Sequence, residues 1–273
     1  MSTQIATEGA STLGALLLGV LQGLTEFLPV SSSGHLVLFQ QFMDIVGDDV
    51  AFDLILHLGT LIPVLWFYRE NFITMFRDVV QGEGDFFSRP GTRLLCLLGV
   101  ASVPTALIGL GLKDTFESLF SNPSALVVTF SITGLLLLLS GRAKLGTTTV
   151  GGIRWRDAII LGIAQGLAIT PGISRSGTTI TVALLLGIER EAAARFSFLM
   201  SVPAILGAVT LKASEASFSG MDPAQLGVGA IAAMISGYFA LIMLVHVVKN
   251  GTFQHFAWYC FAAAAIAGYI SIS

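Results

Sequence analysis

One stretch of this chain occurs twice, and the repetition limits the fold more than any other feature. Residues 18–37 read LGVLQGLTEFLPVSSSGHLV, and residues 161–180 read LGIAQGLAITPGISRSGTTI. At a constant offset of 143 the copies share Leu18/Leu161, Gly19/Gly162, Gln22/Gln165, Gly23/Gly166, Leu24/Leu167, Ser31/Ser174, Ser33/Ser176 and Gly34/Gly177. The prolines, Pro29 and Pro171, slip by one. Each copy is a short apolar segment, a proline, a Ser/Gly loop and a second short apolar segment. None of these segments reaches the roughly 20 apolar residues that a spanning helix needs.

The chain is 54% hydrophobic and only 11% charged, where a soluble domain carries about 25% charge. It reads as an integral membrane protein. In such a protein, interrupted segments at matching places in two halves point to a buried polar site. The net charge of −3 argues against a nucleic-acid partner. Cys96 and Cys260 both lie in apolar runs and define no disulfide framework. The first dozen residues hold no Lys or Arg, so no signal-peptide n-region is expected.

Six segments are expected to span: 51–68, 94–112, 123–141, 192–211, 224–248 and 252–272. The paired short segments, 13–28 with 36–46 and 158–169 with 178–188, are expected to form two re-entrant helix hairpins. The alternative, one long broken helix per pair, conflicts with loops as polar as PVSSSG and PGISRSG. Irregular backbone at that depth needs burial in protein or contact with water. Three spans separate the hairpins, so the second repeat is inverted relative to the first. The expected fold class is an all-α integral membrane protein of one domain (1–273), with inverted-topology repeats at 10–141 and 153–273. It has six transmembrane helices plus two re-entrant helix hairpins.

Charge supports that count. Placing 69–93, 142–156, 187–195 and 249–251 on one side collects Arg69, Arg77, Arg89, Arg93, Arg142, Lys144, Arg154, Arg156, Arg190, Arg195 and Lys249. The other side keeps Lys113 and Lys212, as the positive-inside rule requires. The termini and the loops near 113–122 and 212–223 then lie outside. The stretch 70–92 reads as a solvated connection on the inside. The one basic residue left over is Arg175, in the second loop.

Arg175 and Glu26 are charges at membrane depth, which are costly and mark functional sites. Gln22 and Glu26 share a helix face at i, i+4, and Pro29 ends that helix. Ser31, Ser32, Ser33, Gly34 and His35 open the next short helix. Ser174, Arg175, Ser176 and Gly177 open the matching one, with Thr178 and Thr179 in its first turn. Free N–H groups at helix starts hold anions, so two facing nests with serines and one arginine suit a phosphate or diphosphate. Glu26 suits a divalent metal bridging to phosphate oxygens. His35 could serve as acid or base. Asp53 and His57, at i, i+4, are either supporting ligands or a polar helix end. Trp66, Tyr68, Trp155, Trp258 and Tyr259 are aromatic-belt candidates. A structural Glu26–Arg175 pair in a membrane scaffold, and a transporter or lipid flippase built on the same inverted repeat, are the competing readings.

The strings QGLTEFLPVSSSGH (22–35) and PGISRSGTT (171–179) resemble the undecaprenyl-diphosphate phosphatases, also called bacitracin-resistance proteins. That family carries an (E/Q)xxxE motif followed by PVSSxGH, and a PGxSRSxxT motif. Both are present, in order, and the resemblance extends through FDLILHLGT (52–60) and FSFLMSVP (196–203). It implies hydrolysis of undecaprenyl diphosphate to the monophosphate, which recycles the lipid carrier for peptidoglycan synthesis. It also implies a Mg²⁺ or Ca²⁺ cofactor and a multi-pass location in the bacterial inner membrane, with the active site facing the periplasm. Overproduction is expected to raise bacitracin resistance. The expected partners are the lipid substrate and the membrane, with a second copy of the chain as a homodimer.

Carried over by motif, Glu26 matches the essential second acid and Ser32 the candidate nucleophile. His35 matches the catalytic histidine and Arg175 the phosphate-binding arginine. Ser174, Ser176 and Thr179 match the phosphate-loop hydroxyls, with Gln22, Ser31, Ser33, Gly34 and Gly177 completing the substrate site. Gln22 replaces the first acid, so a mechanism that needs two carboxylates at this motif does not transfer. A nucleophilic Ser32 with His35 as base competes with His35 or a metal-activated water as nucleophile.

Overall fold

A computed structural model describes residues 2–42, 50–120, 123–214, 216 and 221–272. The described residues are helical, apart from short turns and an isolated bridge between Thr148 and Ile188. The first half holds α1 (Ser2–Phe27), α2 (Ser32–Phe42), α3 (Val50–Phe67), α4 (Arg69–Gln81), α5 (Pro90–Gly111), α6 (Lys113–Phe120) and α7 (Pro123–Ser140). The second holds α8 (Trp155–Leu167), α9 (Arg175–Leu185), α10 (Arg190–Lys212), α11 (Pro223–Asn250) and α12 (Phe256–Ile272).

Among the described residues, four helices are long and apolar enough to cross a membrane: α3, α5, α10 and α11. A fifth is counted if α6 and α7, bent by 105° at their junction, form one span. α12 is an apolar helix of 17 residues. The outer faces of these helices are apolar: Leu107 is 67% exposed, Phe239 64% and Trp258 67%. Surfaces of that kind belong against lipid.

The sequence accounts for the helix ends. Pro90 and Pro223 occupy first turns, where a missing N–H costs nothing. Asp222 caps α11 by accepting from the Ala224 N–H at 2.8 Å. Gly251, with φ +72°, closes α11 in the left-handed conformation. Ser174 caps α9, its Oγ accepting from the Gly177 N–H at 3.1 Å.

The repeated glycines are the crossing points of the helices. α1 lies along α11, and a β-carbon at Gly19 would fall 2.3 Å from the Gly229 carbonyl oxygen. α8 lies along α5, and a β-carbon at Gly162 would fall 2.0 Å from the Ala101 carbonyl oxygen. Small residues four apart (Gly19 with Gly23, Gly162 with Gly166) allow this backbone approach in a membrane. α7 lies along α12, and α3 along both α10 and α11. The core between them is apolar and centred on Phe27, Phe196, Phe198 and Leu199.

Three differences from the sequence reading stand out. Residues 69–81 of the expected connection form a helix, α4, largely exposed with Met75 alone buried, and Asp78 Oδ2 accepts from the Gly91 N–H at 2.6 Å. α1 begins well before residue 13, although its apolar part is Thr12–Phe27. The segment near 113–122 is helical as far as Phe120. Of the expected segment 36–46, residues 43–46 lie outside the described residues, as do parts of the loops 113–122 and 212–223.

Candidate active site

Two loops meet in the centre of the molecule. The first joins α1 to α2 and the second joins α8 to α9. Gly34 and Gly172 make the approach possible: a β-carbon at Gly34 would lie 2.9 Å from the Gly172 Cα and 2.6 Å from the Phe130 ring. The Ser176 hydroxyl donates to the Leu28 carbonyl across the same contact at 3.3 Å. From α7, Thr133 Oγ1 donates to the Gly172 carbonyl at 2.9 Å and accepts from the Ser174 N–H at 3.0 Å.

Both loops turn into their helices in the same way. Ser31 Oγ lies 3.4 Å from the Gly34 nitrogen and 3.3 Å from Ser33 Oγ. Ser174 Oγ lies 3.1 Å from the Gly177 nitrogen and 3.3 Å from Ser176 Oγ. Ser31 has φ +67°, the only positive φ outside glycine among the described residues. Left-handed conformations outside glycine are strained and concentrate at functional sites. Among the described residues, no acceptor meets the N–H groups of Ser32 and Ser33 or of Arg175 and Ser176. These unpaired donors at helix starts are the parts of an anion site.

Glu26 joins the loops. Its Oε1 accepts from Arg175 Nη2 at 2.5 Å. Its Oε2 accepts from the Ser32 hydroxyl at 2.7 Å and from Gln22 Nε2 at 3.2 Å. His57 Nε2, from α3, stands 3.9 Å from the same oxygen. Glu26 and Gln22 are buried, and Arg175 is nearly so. Gln22 Oε1 and Arg175 Nη1 are buried and have no hydrogen-bond partner. Thr179 Oγ1 donates to the Arg175 carbonyl at 2.8 Å and contacts Ser197 Oγ, bracing the first turn of α9.

His35 is close in sequence but turned elsewhere. Its Nδ1 lies 2.8 Å from the Ser31 carbonyl, which only accepts, so Nδ1 carries the proton. Its Nε2 therefore accepts from the Tyr259 hydroxyl at 2.8 Å. The ring stacks on Tyr259 and meets Phe130 edge-on. The hydrogen bond that Ser32 makes is to Glu26, not to His35.

The structure thus gathers Gln22, Glu26, Ser31, Ser32, Ser33, Gly34, Ser174, Arg175, Ser176 and Gly177 at one place, with Thr179 behind them. Sequence reasoning missed Thr133, which had no motif, and placed Tyr259 in an aromatic belt. For a cation, the oxygens on offer are Glu26 Oε2, Ser32 Oγ and the unpartnered Gln22 Oε1. Among the described residues no cluster of three or more His, Cys, Asp or Glu side chains is placed to hold a metal ion, so this single carboxylate would hold a Mg²⁺-type ion only together with substrate phosphates.

The family model described as "Bacitracin resistance protein BacA" matches residues 15–266. An undecaprenyl-diphosphatase from Carboxydothermus hydrogenoformans is 46% identical over 250 residues, covering 90% of this chain and 92% of its own. Proteins of the same name from Halothermothrix orenii and Alkaliphilus metalliredigens are 41% and 38% identical. The alignments cover 90% and 94% of this chain, and 92% and 97% of those relatives. With that similarity running through both loops and the helices that carry them, the chain is a multi-pass membrane protein that belongs to the bacitracin resistance protein BacA family.

Proposed function

We propose that this chain is a membrane phosphatase that hydrolyses undecaprenyl diphosphate to undecaprenyl phosphate and inorganic phosphate. In that role it recycles the lipid carrier for peptidoglycan synthesis and confers bacitracin resistance. The observation that carries the reading is the convergence of Glu26, Ser32 and Arg175, at the end of α1 and the starts of α2 and α9, onto one buried point. The undecaprenyl-diphosphatase relatives share nearly the whole chain.

The diphosphate docks where the unpaired N–H groups of Ser32, Ser33, Arg175 and Ser176 converge, and Arg175 turns its unpartnered Nη1 to a phosphoryl oxygen. Donors fixed in advance at developing charge supply most of the rate gain in such reactions. Ser32 Oγ attacks the terminal phosphorus as its proton passes to Glu26 Oε2. The bond from that phosphorus to the bridging oxygen breaks, undecaprenyl phosphate leaves, and water cleaves the phosphoserine. His35, fixed by Ser31 and Tyr259, orients the loop. Glu26, Ser32 and Gln22 would hold a Mg²⁺ or Ca²⁺ ion, whose chemistry is to neutralise phosphate charge.

The same reading places six spans and two re-entrant hairpins in one domain, with inverted halves at 10–141 and 153–273 and the site open to the periplasm. The exchanged pairing supports it: α1 lies on α11 as α8 lies on α5, and α7 lies on α12. The basic residues gathered on the opposite side support the orientation. The reading is tested by resolving the products formed from undecaprenyl diphosphate. Equal amounts of undecaprenyl phosphate and inorganic phosphate are expected; free undecaprenol or inorganic diphosphate as product contradicts it.

A further inference from the structure

We infer that Thr133 is a positioning residue of the second loop: its hydroxyl fixes the Gly172–Ser174 backbone and so aims Arg175, with the N–H groups of Arg175 and Ser176, at the bound phosphate. This rests on the proposed function and adds to it a residue from outside both repeated loops. Thr133 lies on α7 and is fully buried. Its single proton goes to the Gly172 carbonyl at 2.9 Å, and a lone pair accepts from the Ser174 N–H at 3.0 Å. Neither of these two groups has a backbone partner among the described residues. One hydroxyl therefore satisfies two buried groups that the loop does not pair by itself.

The clamp sits directly before the residues that meet the phosphate. Ser174 caps α9 through its Oγ, and Arg175 is the first residue of that helix. Gly172 has φ +85°, and a β-carbon there would fall 2.0 Å from Thr129 Oγ1, so α7 meets the loop at two points one turn apart. The Thr129 hydroxyl bonds back to its own helix, at the Ala125 carbonyl, which leaves Thr133 as the tie. The first loop repeats the arrangement in weaker form. Gly172 corresponds to Pro29 at the offset of 143, and the Pro29 carbonyl accepts from the Cys260 thiol of α12 at 3.5 Å. Two helices that lie along each other thus each grip the equivalent carbonyl of one loop. A thiol is a weak donor, so the loop that carries Arg175 is the more firmly held.

The test is the affinity of the purified protein in detergent with Mg²⁺ for inorganic pyrophosphate, by titration calorimetry, beside phosphate release from undecaprenyl diphosphate. Thr133→Val keeps the shape and removes both bonds, and is expected to weaken binding and slow turnover about tenfold or more. Thr133→Ser is expected to recover most of that loss, and Thr133→Cys to fall between the two. In an Arg175→Ala background Thr133→Val is expected to cost much less, because the loop then has no guanidinium to aim. Should Thr133→Val not fold, Thr133→Cys against Thr133→Ser carries the comparison. Unchanged binding and turnover in Thr133→Val, equal losses in Thr133→Val and Thr133→Ser, or the same loss with and without Arg175 overturns the positioning role and leaves the proposed function standing. A wild type that binds pyrophosphate in a Thr133-dependent way but releases no phosphate from undecaprenyl diphosphate contradicts the proposed function and keeps Thr133 as the positioning residue of an anion-binding loop. A wild type that shows neither binding nor release overturns both.

Discussion

Glu26 and Arg175 are 149 positions apart in the chain and meet at 2.5 Å, one in the last turn of α1 and the other at the start of α9. A pair at that depth is either a lock between two halves or the working part of a site. The Ser32 hydroxyl and the Gln22 amide on the remaining carboxylate oxygen favour the second.

The two roles separate in a charge swap. Glu26→Arg or Arg175→Glu alone leaves a buried charge unpaired, at a cost of about 3 kcal/mol or more in stability. The double variant is expected to recover most of the lost thermal stability in detergent. Its phosphate release is expected to stay at least a hundredfold below wild type, because guanidinium and carboxylate then face the wrong partners. Restored turnover would identify the pair as a structural lock.

Ser32 is expected to carry the phosphoryl group. Substrate labelled in its terminal phosphate and quenched in acid within the first turnover should leave label on wild type and none on Ser32→Ala. Label retained in Ser32→Ala, or turnover near normal in that variant, would move the attack to another nucleophile.

Gly34→Ala drives a methyl group into Phe130 and the Gly172 backbone. Overpacking of this kind costs about 1–3 kcal/mol, and the separation of the loops is expected to remove most activity. Gly99→Ala and Gly207→Ala, where nothing lies within 4 Å of the new carbon, are expected to behave as wild type. Equal behaviour of all three variants would show that the loop contact is unimportant.

Tyr259→Phe removes one hydrogen bond to His35 and keeps the stacked ring. A bond between neutral groups is worth about 1 kcal/mol, so kcat is expected to fall several-fold with little change in melting temperature. An unchanged kcat would show that the orientation of His35 does not matter to the reaction.

Much of the site was legible in the sequence because it was written twice. The shared Gly19/Gly162 and Gly23/Gly166 mark the crossings on α11 and α5, and Ser31/Ser174 mark the two helix starts. The differences between the copies were as informative: Glu26 and Arg175 have no counterpart in the other repeat, and they are the residues that pair. Helix α4 was missed because its charged residues lower its hydropathy, while Met75 is the one residue it buries. In the sequence His57 stands open as either a supporting ligand or part of a polar helix end, and Tyr259 reads as an aromatic-belt residue. A histidine near a helix end and a tyrosine in an apolar helix look ordinary until the fold brings α3 against Glu26 and α12 against His35. Such long-range meetings leave no mark in a single sequence.

The most direct measurement is phosphate release from undecaprenyl diphosphate by the purified protein in detergent, first with Mg²⁺ and then with excess chelator, beside folded Arg175→Ala. The expected result is metal-dependent release that falls by a factor of about 10² to 10³ in the variant, as for the loss of one fixed donor to developing charge. No release from folded wild type, or full release from Arg175→Ala, would contradict an active site between the two loops.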